Sequence, residues 1–185
     1  SLEETAKRVI EESRKHLDRL RRENERVVKE IRDALRELEK KVEDVVRRIA
    51  EELERIRKEG KVPEDVVREV RKTVEKLLRE LEDVIRRLKE LVDRHLEDSE
   101  RVVREVKRIS DRLLEEVKRK SSREEAEDLL RKVIEDIKEL NRELERVSRK
   151  NIEDLRRWLE EVREMVKRVE EKAKRVLEEL REAAK

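Results

Sequence analysis

Along the whole chain the apolar residues return every three or four positions. In the first stretch they run Leu17, Leu20, Asn24, Val27, Ile31, Ala34 and Leu38, with a single asparagine standing in for an aliphatic. Residues three and four apart lie on one face of an α-helix, so this alternation predicts a helix with a coiled-coil-like seam. Pairs such as Val27-Val28 and Val45-Val46 widen the seam to three positions per heptad, the width a helix needs when it touches two neighbours. The seam slips by about one heptad position along each helix, from Leu2, Val9 and His16 at one edge toward Val42, Ile49 and Ile56 at the other. Drift toward the natural 3.6-residue period predicts a weak supercoil.

Two places break the pattern. In "RKEGKVPED" (57–65), Lys58 sits in a last turn, Gly60 just past it, and Pro63 at the first position of the next helix, followed by Glu64 and Asp65 at its positive end. In "KRKSSREEAED" (118–128), a basic last turn gives way to Ser122 with Glu125 three residues on, a capping box; Ser1 and Glu4 repeat it at the start. Helices over about 2–59, 63–120 and 123–184 follow, each on the order of 85–90 Å long. Connections this short make successive helices antiparallel. The expected fold is all-α: a long antiparallel up-down-up three-helix bundle, coiled-coil-like and weakly supercoiled, with residues 1–185 forming a single elongated domain.

Loop arithmetic then places the polar residues that interrupt the seams. Partners across the first loop have residue numbers summing to about 122 and across the second to about 243, good to roughly a turn. Asn24 is thereby brought to the level of Ser99 and of Asn141 to Ser148; Ser13 faces Ser110; His95 lies level with Val27, Val28 and Ser148; and Asn151 sits one turn beyond. These residues gather where the first helix starts, the second ends and the third starts, and the other half reads almost purely Val, Ile and Leu. A buried Ser or Asn without a partner costs ~1–3 kcal/mol, whereas mutually bonded groups approach neutrality. Ser13, Asn24, His95, Ser99, Ser110, Asn141, Ser148 and Asn151 are therefore expected to form structural polar layers that penalise wrong registers. His95 is expected buried and neutral, bonded near Ser148, and His16 at the seam's boundary. Trp158, continuing the line Ile137, Leu144, Asn151, is expected in the core or at its edge.

Composition removes most chemical functions. Fifty-seven per cent of residues are charged, 54 basic against 52 acidic, and no uncharged run exceeds two residues. Neither a transmembrane span nor the apolar core of a signal peptide fits such a pattern, so the chain is expected to be soluble, with no natural compartment and a cytoplasmic place on recombinant expression. The absence of cysteine rules out disulfides and thiolate metal sites. His16 and His95 stand roughly 18 Å apart in height, too far to share an ion, so no metal or cofactor is expected. Acids and bases interleave at three- and four-residue spacings, a solvated, salt-bridged helix face rather than acid–base machinery. Neither a nucleophile elbow nor a phosphate loop occurs, so no enzyme is expected. A net charge of +2 without a basic stripe or aromatic platform argues against nucleic acid, and the lack of an exposed apolar face edged by aromatics argues against a membrane.

The capping boxes Ser1–Glu4 and Ser122–Glu125, the "EGKVPED" connector, three nearly equal helices, a surface of Glu, Lys, Arg and Asp, and the polar residues Asn24, His95, Ser99, Asn141, Ser148 and Asn151 together resemble one class. It is that of de novo designed three-helix bundles on parametric coiled-coil backbones with buried hydrogen-bond networks. The resemblance covers the whole chain. The high valine content and Val62, a poor capping residue before the second helix, depart from the pattern. The resemblance implies a structural scaffold without natural biochemical activity, monomeric and partnerless. The alternative is a helix-exchanging or oligomerising interaction module, pairing with copies of itself or with partner helices as a heteromer component or a pH-responsive switch.

Overall fold

The computed structural model describes residues 2–120 and 122–185. Three helices pack together as an all-α, up-down-up three-helix bundle: α1 (Leu2–Glu59), α2 (Glu64–Arg119) and α3 (Arg123–Ala183). No strand occurs among the described residues, and no helix there is long and apolar enough to cross a membrane.

The helix ends follow local chemistry. Gly60 closes α1 with a left-handed φ of 69°, a conformation that carries no Cβ penalty in glycine, and its amide donates to the Arg57 carbonyl at 3.2 Å. The Pro63 carbonyl accepts the amides of Val66 (3.0 Å) and Val67 (3.2 Å). Pro63 is therefore the cap residue of α2, one position before the place expected for it, and its missing N–H costs nothing there. Val62 and Val67 are both buried. They occupy the positions on either side of a helix start that form a hydrophobic staple, so the valine that looks like a poor cap anchors the entry of α2 through its side chain. At α3 the Ser122 hydroxyl accepts the Glu125 amide at 3.3 Å and the Ser122 carbonyl accepts the Ala126 amide. The corresponding box at the beginning of α1 rests on Ser1, which lies outside the described residues.

The chain groups into two compact units. The first comprises residues 1–29 and 93–154, the second residues 30–92 and 155–185. The core of the first unit is built from small clusters that each draw on all three helices. Ala6, Val117 and Leu130 form one; Ile10, Val133 and Ile137, joined by Leu113, form the next; Leu17, Val103 and Val106, joined by Leu144, form a third. The ion pairs Asp18–Lys107 and Arg14–Asp111 between α1 and α2 lie within about one turn of the register expected from the first loop, whereas between α1 and α3 Leu17 meets Leu144, nearly two turns beyond the level that the two loops together assign to it. The core of the second unit is wholly aliphatic: Ile31, Leu35, Leu53, Ile85 and Val92 are among its most enclosed residues. Within α1, Val27 and Val28 are both buried, which locates the slip of the seam from one heptad line to the next. Trp158 is half-buried at the core's edge.

Candidate functional site: polar layers of the first unit

Among the described residues the buried polar side chains are Ser13, Asn24 and Ser110, and all three belong to the first unit. They stand at inward positions because the three-and-four spacing of the seam runs through them. The sequence Ile10, Ser13, Leu17 on α1 and the sequence Ile137, Asn141, Leu144 on α3 put Ser13 and Asn141 between two apolar clusters. There they bond mutually: the Ser13 hydroxyl donates to Asn141 Oδ1 at 3.1 Å, and Asn141 Nδ2 donates to Ser13 Oγ at 2.7 Å. A second pair joins the same two helices further along, where the Ser148 hydroxyl donates to Asn24 Oδ1 at 2.9 Å. Each pair joins a buried side chain on α1, Ser13 or Asn24, to a half-buried one on α3, and so satisfies a buried group that would cost ~1–3 kcal/mol if left unpaired.

Asn141, expected at the level of Asn24, stands instead about two turns away beside Ser13, and the other residues expected in these layers join neither pair. Ser110 is buried at the level expected opposite Ser13, but its hydroxyl turns back to the Val106 carbonyl of its own helix at 2.9 Å. A serine can meet its hydrogen-bonding need within its own turn, so it requires no partner on α1. Ser99 is half-buried and joins neither pair. Asn151 is exposed on α3 and lies outside the layers altogether.

His95 departs most from expectation. It is half-buried, and its Nε2 is enclosed without a hydrogen-bond partner. Ser148, its expected partner, has one hydroxyl proton and gives it to Asn24. An unpartnered nitrogen is least costly as the bare lone pair of a neutral imidazole, with the proton on Nδ1. Desolvation accordingly holds the His95 pKa below its ordinary value of 6.5, with the Asp98 carboxylate pulling weakly the other way. His16 is half-buried at the boundary, as expected, with Nε2 3.3 Å from Glu145 Oε2 across α1 and α3.

Inter-helix ion pairs flanking the seam complete the arrangement, and seam periodicity alone does not single them out. In the first unit Lys107 Nζ donates to Asp18 at 2.7 Å, and this hydrogen bond holds the Asp18 carboxyl below its usual range. In the second unit Glu52, more enclosed than most carboxylates here, accepts from Arg55 of its own helix and from Arg181 of α3, each at 2.5 Å. Burial is the largest single influence on Glu52 and pushes its pKa up, but the two guanidinium groups together outweigh it and the net shift is downward. The signal in the sequence is only that such charges border the apolar positions, the places where coiled coils carry inter-helix pairs.

Chemically, these groups join helices. Among the described residues no three His, Cys, Asp or Glu side chains come together as a metal site. No protein-family model, curated protein or solved structure matches the chain.

Proposed function

We propose that the chain is a designed structural scaffold without catalytic activity, whose helix pairing is set by an apolar seam and checked by buried polar pairs. The observation that carries this reading is the pairing of Ser13 with Asn141, between two apolar clusters, and of Asn24 with Ser148, with the outer faces given over to ion pairs within one turn such as Asp44–Arg47 and Asp98–Arg101. Sliding α3 past α1 would break both pairs at once and strand the buried Asn24 amide, which, unlike a serine hydroxyl, cannot be satisfied within its own turn. The test replaces Asn24 with Leu and Ser148 with Ala together. Retained helicity and unchanged or higher stability, with additional amide NMR signals from alternative registers, supports a specificity role. A single set of sharp signals indistinguishable from the parent removes that role.

A second reading, an oligomerising interaction module, is favoured by Val102 and Ile109 on α2 and Leu140 and Val147 on α3, aliphatic residues of the first unit that are 36–41% exposed and spaced one heptad apart on each helix. Light scattering coupled to size-exclusion chromatography separates the two readings. A mass of 22.6 kDa at every concentration supports the monomeric scaffold, and a concentration-dependent multiple supports the module.

A further inference from the structure

In the second unit the inward residues of α3 run Leu159, Val162, Val166, Ala173 and Leu180, and Ala173 is the one that carries almost no side chain. Space is left on both sides of it. A cavity of about 300 Å³ lies between α1 and α3, bordered by Val45, Ile49, Leu177 and Ala173. A larger one of about 470 Å³ lies between α2 and α3, where Val70, Val74, Leu77, Val169, Ala173 and Val176 form an aliphatic floor. It is a half-open groove, so an occupant would lie along it with one side toward solvent.

The chemistry of the larger groove selects among occupants. Its floor presents methyl groups and offers no free donor, since the hydroxyl of Thr73 donates to the Glu69 carbonyl at 3.0 Å. Its rim carries two acids, Glu69 and Glu179, and two bases, Lys172 and Arg175, so no net field favours an ionic head group. Val70 and Leu77 on α2, like Val169 and Val176 on α3, are one heptad apart, about 10 Å along the helix. That is close to the length of an extended octyl chain. We infer that this groove binds a neutral aliphatic chain, laid along α2 and α3 over Ala173. The inference is independent of the scaffold reading.

The test is a titration of the full chain with octyl glucoside below its micelle threshold, read by methyl and amide NMR, with methyl glucoside and octanoate as parallel probes. The expected result is saturable shifts confined to Val70, Val74, Leu77, Val169, Ala173 and Val176, none with methyl glucoside, and no tighter binding of octanoate. Ala173→Leu fills the floor and should weaken binding by about tenfold or more, roughly the worth of two buried methylenes. Val70→Thr, a milder change at a half-buried position, should weaken it several-fold and serves if the leucine variant does not fold. The inference is overturned by unsaturable shifts, by equal shifts at the exposed Val102 and Leu140, by unchanged affinity in the folded variants, or by tighter binding of octanoate. It is equally overturned if the groove signals move with protein concentration in the absence of any probe, because a second copy of the chain is then the occupant.

Discussion

The inward line of α1 reads Ala6, Ile10, Ser13, Leu17, Leu20, Asn24 in the first unit and Ile31, Leu35, Leu38, Val42, Ile49, Leu53, Ile56 in the second. The helical period is the same, and the interiors it fills are not. Aliphatic contacts are non-directional, so a heptad slip in the second unit exchanges one branched side chain for another at modest cost. A slip in the first unit leaves the buried Asn24 carbonyl without its partner, at ~1–3 kcal/mol, and parts the half-buried Asn141 amide from Ser13, although the serine hydroxyls can turn back to their own helix as that of Ser110 does. The second unit thus holds more of the buried aliphatic side chains, and the first holds the buried polar ones, whose bonds depend on register. The second unit also tolerates the small residue Ala173, because an unfilled apolar space forfeits packing but strands no polar atom.

The sharpest way to break this contrast is to remove aliphatic volume from the second unit. Ile85→Ala, at a fully enclosed position, should lower unfolding stability by about 2–5 kcal/mol, measured as a lower urea midpoint. A loss under ~1 kcal/mol would show that the second core does not carry the stability assigned to it. In the first unit, Asn141→Ala should cost about 1 kcal/mol by removing the two bonds that join Ser13 to α3, and once Ser13→Ala is in place the same change should cost much less. Additive losses in this double-mutant cycle would mean that the pair is not coupled. Hydrogen exchange is expected to be slowest around Val42–Ile56, Leu77–Leu91 and Leu159–Val176, by about tenfold relative to the amides near Asn24, because polar levels interrupt the contacts of the first unit. The reverse order would dissolve the distinction.

Protonation of His95 sharpens the contrast more gently. Burial holds its folded pKa below the unfolded value of about 6.5, so the residue exacts no penalty well above that pH. As pH falls through the unfolded pKa, the unfolded chain takes up the proton first. Stability declines until the folded pKa is passed, by ~1.4 kcal/mol for each pH unit between the two values. Urea midpoints should be lower at pH 5.5 than at pH 7.5, a window above the titration of the paired carboxylates, and His95→Asn should narrow the difference. An unchanged difference would place the ring in water. The smallest effect is expected from Arg101→Ala: its pair with Asp98 is exposed on one helix, and its removal should change stability by less than about 0.5 kcal/mol.

Much of the fold was legible because its determinants are local. The run from Ala6 to Ile56 carries the three-and-four period that makes α1 and names its buried face, and the glycine with positive φ at Gly60 and the hydroxyl at Ser122 mark their helix boundaries through bonds to residues three away. The segregation of Ser13, Asn24 and Ser110 from the aliphatic half was also legible, since short connections decide which helix ends meet, but the register of α1 against α3 was not: Ser13 meets Asn141 about two turns from the level that the loops assign. Pairing was legible only in part. A hydrogen bond forms or fails over a few tenths of an ångström, and it depends on how three backbones and their rotamers aim the polar atoms. Tertiary structure alone therefore gave Ser13 to Asn141, kept Ser110 on its own helix, awarded the Ser148 proton to Asn24 and left His95 Nε2 enclosed and alone. It likewise turned Val62 from a missing cap into a buried anchor and opened space beside Ala173. Helical period and chain ends are properties of neighbours in sequence, and the partner of a buried polar atom, or the volume around a small side chain, is a property of distances that only the packed helices define.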